Sequence, residues 1–234
     1  MIHRNTFKQT YHHRSIGADM RLLAISDPHG DYAQIPSLVR EAGAVDCVLI
    51  AGDITNFGPD ELTYELLALL EPLNCPVLAI PGNCDNRSIL GVLDSSRAVN
   101  LDNAVHTLED IVFIGIGGSN PTPFDTTFER SEDEIKTILD DLLRRADSDG
   151  RTVVLLSHAP PRETLDRIPN GNAGSEALTG AIGKTDLIVC GHIHEDQGMM
   201  VKRGTKIVNV GQASQGQSAI ITVADSIEVT FNNI

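Results

Sequence analysis

The sequence predicts an α/β domain built on two packed sheets, and three observations carry that expectation. Short apolar runs of strand length alternate with segments of helical periodicity through the first two thirds of the chain. The end of the chain is a succession of strand-like runs instead. Finally, 234 residues at 41% hydrophobic content suffice for one large core, and no apolar run approaches the roughly 20 residues of a membrane-spanning helix.

Taken in order, residues 1–19 hold His3, Arg4, Lys8, His12, His13 and Arg14, without hydrophobic periodicity or the apolar stretch of a secretory signal. They read as a flexible tail ahead of a domain over residues 20–234, and Met20 is an equally good start of translation. Residues 22–26 form the first strand. A helix follows with Ile35, Leu38, Val39 and Ala42 on one face and Gly43 as its left-handed cap. Residues 47–51 are a second buried strand, Pro59 opens a helix carrying Leu62, Leu66, Leu67, Leu69 and Leu70, and residues 77–80 are a third strand. Glu109 and Asp110 separate the runs 105–108 and 111–115, which predicts a hairpin. Ser131 and Glu134 make a capping box for a helix whose one face is Ile135, Ile138, Leu139, Leu142, Leu143 and Ala146, with Arg144 and Arg145 suited to its end. Strands at 152–156, 187–190, 206–210, 219–223 and 227–231 complete the pattern. Two loops, 117–130 and 159–174, are rich in Pro, Gly and Asn and long enough to line a site.

Lys and Arg number 18 against 32 Asp and Glu, giving a net charge of −14. Such a surface repels polyanions, which argues against a sequence-independent nucleic-acid binder. Cys47, Cys75, Cys84 and Cys190 have no C-x-x-C spacing and read as reduced thiols of a cytoplasmic protein.

Five strand-like runs end in residues of metal-ligand type: Asp27 and His29; Gly52-Asp53; Gly82-Asn83 with Cys84 and Asp85; His158; and Gly191-His192 with His194. Ligands gather beyond the carboxyl ends of parallel strands, so one crevice receives all of them. The residue types suit two divalent ions about 3.5 to 4 Å apart, because a carboxylate must bridge the pair while imidazoles complete each shell. Asp53 is the natural bridge. The glycines ahead of Asp53, Asn83 and His192 permit sharp turns and close backbone approach. Nitrogen and oxygen donors without a ligating thiolate suit Mn, Fe, Zn, Co or Ni, with Mn favoured.

This ordered set, Asp27-x-His29, Gly52-Asp53, Gly82-Asn83-x-Asp85, His158 and Gly191-His192-x-His194, resembles the calcineurin-like metallophosphoesterase family over about residues 22–211. The resemblance implies a four-layer α-β-β-α sandwich with two mixed sheets. It also implies one metal on Asp27, His29, Asp53 and His194, and a second on Asp53, Asn83, His158 and His192. A water or hydroxide bridging the ions would attack the phosphorus of a small phosphate-ester substrate.

One position departs from the family pattern. A His that assists the leaving group commonly follows the Asn, with the next acidic residue orienting it; here Cys84 and Asp85 take those places. A thiol with pKa near 8.5 donates a proton but lacks the positive charge of an imidazolium. A diester monoanion needs that charge less than a monoester dianion does, so phosphodiester hydrolysis is expected. The rival readings are a nuclease of the same superfamily, against which the acidic balance weighs, and a non-catalytic metal-binding scaffold, against which the full ligand set weighs. Arg87 and Arg162 follow two of the motifs and are candidates for holding substrate phosphate. Asp85 also fits the N-cap of a helix over residues 86–90. His106 lies in a strand pattern away from the motifs and reads as structural.

Overall fold

The computed structural model describes residues 19–146 and 150–234, so residues 1–18 of the predicted tail, with its three histidines, lie outside the described residues. In β1 (Met20–Ile25) the side chains alternate: Leu22 and Ala24 face one core, Leu23 and Ile25 another, and all four are fully buried. The same holds in β2 (Cys47–Ala51) and β3 (Val77–Ile80). Burial on both faces is why these runs are continuously apolar, as parallel strands covered on both sides are.

β1, β2 and β3 pair in parallel and extend to β4 (Val99–Asn100). β13 (Gln217–Val223) and β14 (Ile227–Asn233) add antiparallel strands on the other side, giving the order β14-β13-β1-β2-β3-β4. The second sheet is built from β5 (Val105–Leu108), β6 (Ile111–Ile116), β7 (Thr152–Ser157), β10 (Leu187–Cys190), β11 (Gly198–Lys202) and β12 (Thr205–Asn209). Its order is β11-β12-β10-β7-β6-β5, with parallel pairing inside and an antiparallel strand at each edge. β8 (Arg167–Ile168) and β9 (Gly171–Asn172) form a small separate hairpin within the loop 159–174.

The two mixed sheets pack face to face over Leu22, Leu49, Phe113, Val154 and Val189. The outer face of the first carries α1 (Ile35–Ala42), α2 (Leu62–Leu69) and α3 (Ile89–Ser95), with Ile35, Leu38, Leu66 and Leu93 set against Leu23 and Ile50. The outer face of the second carries α4 (Glu132–Arg145), where Ile135, Leu139 and Leu142 meet Val112 and Leu155. The architecture is therefore a four-layer α-β-β-α sandwich. The capping box of α4 is formed: Glu134 N donates to Ser131 Oγ at 3.2 Å and Ser131 N donates to Glu134 Oε2 at 2.8 Å.

Two local expectations are corrected. Pro59 does not open α2, which begins at Leu62; the intervening residues make tighter turns, with Leu62 N bonding Pro59 O and Thr63 N bonding Asp60 O. Gly43 does end α1, but at φ 63°, ψ −143° it leaves the left-handed helical region for one that glycine alone visits readily. No described helix is long and apolar enough to cross a membrane.

β1, β2 and β3 of one sheet and β7 and β10 of the other finish at the same end of the sandwich. Beyond them the backbone ladders continue for a residue or two, with Asp27 N bonding Gly52 O and Gly191 N bonding His158 O, both at 3.0 Å. The two sheets are joined there by His158 Nδ1, 2.8 Å from Ala51 O.

Candidate metal centre

The chain leaves these strand ends through left-handed backbone at the ligand-type residues themselves. Asp27, His29, Asp53 and His192 have φ of 55°, 50°, 48° and 68°. Non-glycine residues held there cost about 1–3 kcal/mol each, and such strain collects at functional sites. Sequence reasoning gave the turning role to the glycines, but of Gly52, Gly82 and Gly191 only Gly52 has a positive φ. The other two are required by proximity: a Cβ on Gly82 would stand 2.0 Å from Asp53 Oδ1, and one on Gly191 would stand 1.9 Å from Ser26 Oγ.

The seven ligand-type side chains meet. Asp27 Oδ1 lies 3.1 Å from His194 Nε2 and 3.7 Å from His29 Nε2, and those two nitrogens are 3.4 Å apart. Asp53 faces both ways, with Oδ2 3.7 Å from His29 Nε2 and Oδ1 3.4 Å from His158 Nε2. His158 Nε2 is 2.9 Å from Asn83 Oδ1, and the His158 and His192 rings stand 5.0 Å apart. Asp27 Oδ2 accepts from His192 N at 3.0 Å. Two of the residue groups whose donor atoms all lie within 4.8 Å of one another are Asp27, His29 and His194, and Asp27, Asp53 and His158.

Asp27 and Asp53 are buried, and among the described residues their ion-pair partners are all imidazoles. Burial works against ionised Asp53, yet attraction to His158 outweighs it and holds the carboxyl well below its usual range. Burial likewise opposes charge on His158, but Asp53 raises its pKa to about 9. Burial and the charge of His158 lower His192 to about 4. In His194 the hydrogen bond to Asp27 overcomes burial and raises the pKa. A pair of buried carboxylates balanced by imidazoles, with an amide oxygen alongside, is a donor set that fits divalent cations. His158 is already oriented for this: Nδ1–H donates to Ala51 O, and Nε2 faces the cluster bearing a proton that a bound cation would displace.

Cys84 sits against the same cluster, its N donating to Asp53 Oδ1 at 2.7 Å and its Sγ 3.5 Å from Asn83 Nδ2. Burial and the neighbouring Asp53 carboxylate push its thiol well above the ordinary value expected from sequence.

The N-cap expectation for Asp85 is corrected: α3 begins at Ile89, behind Ser88. Asp85 is buried, and its carboxylate accepts from Gly82 N at 2.8 Å, Ile54 N at 3.0 Å, and Thr55 N and Oγ1 at 2.7 and 2.9 Å. It therefore ties the Asp53 loop to the Asn83 loop, and none of these bonds goes to the Cys84 side chain. Burial and Asp53 raise its pKa to about 6.

Arg87 lies over the Phe128 ring at 4.3 Å and donates to Glu129 O at 2.7 Å. Arg162 donates to Asn172 O at 3.3 Å and pairs with Glu176 at 3.7 Å. It lines a groove of about 440 Å³ with Glu176, Lys202 and Arg203, and none of the seven ligand-type residues lines that groove. His106 lies on β5 opposite Phe113, and burial lowers its pKa. Sequence reasoning missed Ser26, whose hydroxyl donates to Ala51 O at 3.1 Å, and Thr126, whose hydroxyl touches Asn83. Neither carries a periodicity or a motif position that marks it.

The profile of the calcineurin-like phosphoesterase family matches residues 20–196, more than half of the chain. The chain belongs to the calcineurin-like phosphoesterase family. Members of this family are phosphoric ester hydrolases that typically bind two divalent metals. An uncharacterised protein of Methanocaldococcus jannaschii, MJ1162, is 35% identical over 199 residues, which cover 81% of this chain and 87% of the relative. The solved structure of TT1561 from Thermus thermophilus is similar with a TM-score of 0.68 and 16% identity, covering 91% of this chain and 99% of that one. A dimetal phosphatase from Danio rerio is similar with a TM-score of 0.67 and 15% identity, covering 92% of this chain and 96% of that one. At such identities the two structures speak for the calcineurin-like fold alone.

Proposed function

We propose that this calcineurin-like phosphoesterase is a dinuclear metal-dependent phosphodiesterase acting on a small phosphate ester. The observation that supports it most is the placement of Asp53, one carboxylate oxygen toward His29 and the other toward His158. Asp27, His29, Asp53 and His194 would hold one cation, and Asp53, Asn83, His158 and His192 the other. The chemistry such a pair supplies is Lewis acidity, which activates water and offsets charge growing on the phosphoryl oxygens. Manganese is the favoured ion, with Fe, Zn, Co and Ni as alternatives of similar donor preference.

The chain's own residues set the rest. Asp53 and Asp27 are buried and pre-oriented by backbone N–H groups of Cys84 and His192, so little reorganisation accompanies charge development. Cys84 borders the cluster and stays a neutral S–H, which can offer a hydrogen bond to a leaving oxygen but contributes no positive charge. That favours a diester monoanion over a monoester dianion. Asp85 acts through the two loops it joins and is a positioning residue. The four free thiols fit a reducing, cytoplasmic setting for a domain spanning residues 20–234.

The test is hydrolysis of paired chromogenic phosphodiester and phosphomonoester substrates by protein reconstituted separately with Mn, Zn, Co and Ni. Metal-dependent turnover that favours the diester is expected. A monoester preference would refute the substrate assignment, and no turnover with any ion at full occupancy would refute the enzyme reading.

A further inference from the structure

The loop 117–130 does more than border the site, because it grips the Asn83 segment from outside. Phe128 N donates to Asn83 O at 3.1 Å, and Thr127 Oγ1 donates to Asp85 O at 2.9 Å. The loop's own ends are fastened: Gly118 N donates to Pro81 O at 2.9 Å, Arg130 N to Ser119 O at 2.8 Å, and Arg130 pairs with Asp102 at 2.6 Å. Thr126 is thereby held with its Oγ1 3.1 Å from Asn83 Nδ2 and 2.7 Å from Glu129 Oε1. Glu129 Oε1 also accepts from Thr126 N at 2.9 Å and Thr122 Oγ1 at 2.6 Å.

The direction of these bonds is forced by elementary chemistry. An ionised carboxylate only accepts, so the Thr126 hydroxyl spends its one proton on Glu129 and shows Asn83 only lone pairs. Only the NH₂ end of the Asn83 amide can meet a lone pair. The other end, Oδ1, is then turned toward His158, where it stands 2.9 Å from Nε2. An amide oxygen binds a cation and an amide NH₂ does not, so an amide flip would remove one ligand and present hydrogens in its place.

We infer that Thr126 and Glu129 are positioning residues that select the cation-binding orientation of Asn83. This rests on the two-cation reading only for its consequence; the orientation itself follows from hydrogen bonds within the chain.

Two measurements test it on the full chain. Calorimetric titration of Mn²⁺ into wild type is expected to show two equivalents. Thr126→Val should weaken one of them about 10- to 100-fold, the range seen when a partner of a metal ligand is lost, and leave the other unchanged. Thr126→Ser, which keeps the hydroxyl, should restore it, with the metal-free melting temperatures of all three staying together. Should valine disturb the loop, Thr126→Ala gives the same comparison. In metal-free protein, the Asn83 side-chain amide resonances should shift and exchange faster with water in Thr126→Val but not in Thr126→Ser. Unchanged Asn83 amide signals in Thr126→Val, or serine behaving as valine does, would overturn the relay. A wild type that takes up only one ion would instead overturn the two-cation reading, while the amide signals still decide the relay.

Discussion

From the sheet of β1, β2 and β3 come Asp27, Asp53, Asn83 and Asp85 with one imidazole, His29; from the sheet of β7 and β10 come His158, His192 and His194 with no acid among them. The acidic half is anchored by backbone N–H groups, as with Asp85 on Gly82, Ile54 and Thr55. The imidazole half leans on the acidic one, His158 through Ala51 O and Asp53, and His194 through Asp27. Neither half is a complete donor set. The site exists only where the two sheets are packed in register, so its chemistry and the stability of the sandwich end are coupled.

Breaking the shared carboxylate should have the largest effect. Asp53→Ala is expected to abolish binding of both cations and to reduce metal-dependent diester turnover by about 10³-fold or more, beyond the loss typical of one electrostatic stabiliser. Asp27→Ala should remove one cation and spare the other. Equal loss of both ions in the two variants, measured as metal-to-protein stoichiometry, would show that Asp53 is not special.

A second way to strain the junction is Gly82→Ala, whose Cβ would fall 2.0 Å from Asp53 Oδ1. Urea denaturation of the metal-free protein should show a loss of about 1–3 kcal/mol, as overpacking in a tight interior does. A third sharpens the contrast by moving imidazole character into the acidic half. Cys84→His should raise monoesterase relative to diesterase turnover by roughly tenfold, about 1.4 kcal/mol of added transition-state preference. An unchanged ratio would detach Cys84 from substrate choice. The smallest effect lies away from the junction: Gly91, within α3, has nothing within 4 Å of an added Cβ, so Gly91→Ala should stabilise by about 0.5–1 kcal/mol without altering metal binding.

Much of this was legible in the sequence, for a physical reason. A strand buried on both faces reads as an unbroken apolar run, and Asp27, Asp53, Asn83, His158 and His192, each within three residues of the end of such a run, announce themselves as neighbours beyond parallel strands. The Ser131 capping box was legible because it is local. What escaped depends on distant parts of the chain. β11 was missed because an edge strand exposing Met199 and Val201 alternates too weakly, and β4, β8 and β9 because two residues carry no period. The left-handed backbone of His29 and His192 is imposed by the tertiary structure against local preference. The loops 117–130 and 159–174 look alike in composition, yet the first clasps Asn83 while the second folds around buried Asp166, which accepts from Thr164 N at 3.1 Å and Gly174 N at 2.9 Å. Only three-dimensional proximity separates them.

The bridging role of Asp53 is tested most directly by anomalous diffraction at the manganese edge from crystals grown with Mn²⁺. Two peaks about 3.5–4 Å apart, one on each side of the Asp53 carboxylate, are the expected result. A single peak held by Asp27, His29 and His194, with Asp53 bound to no second ion, would contradict it.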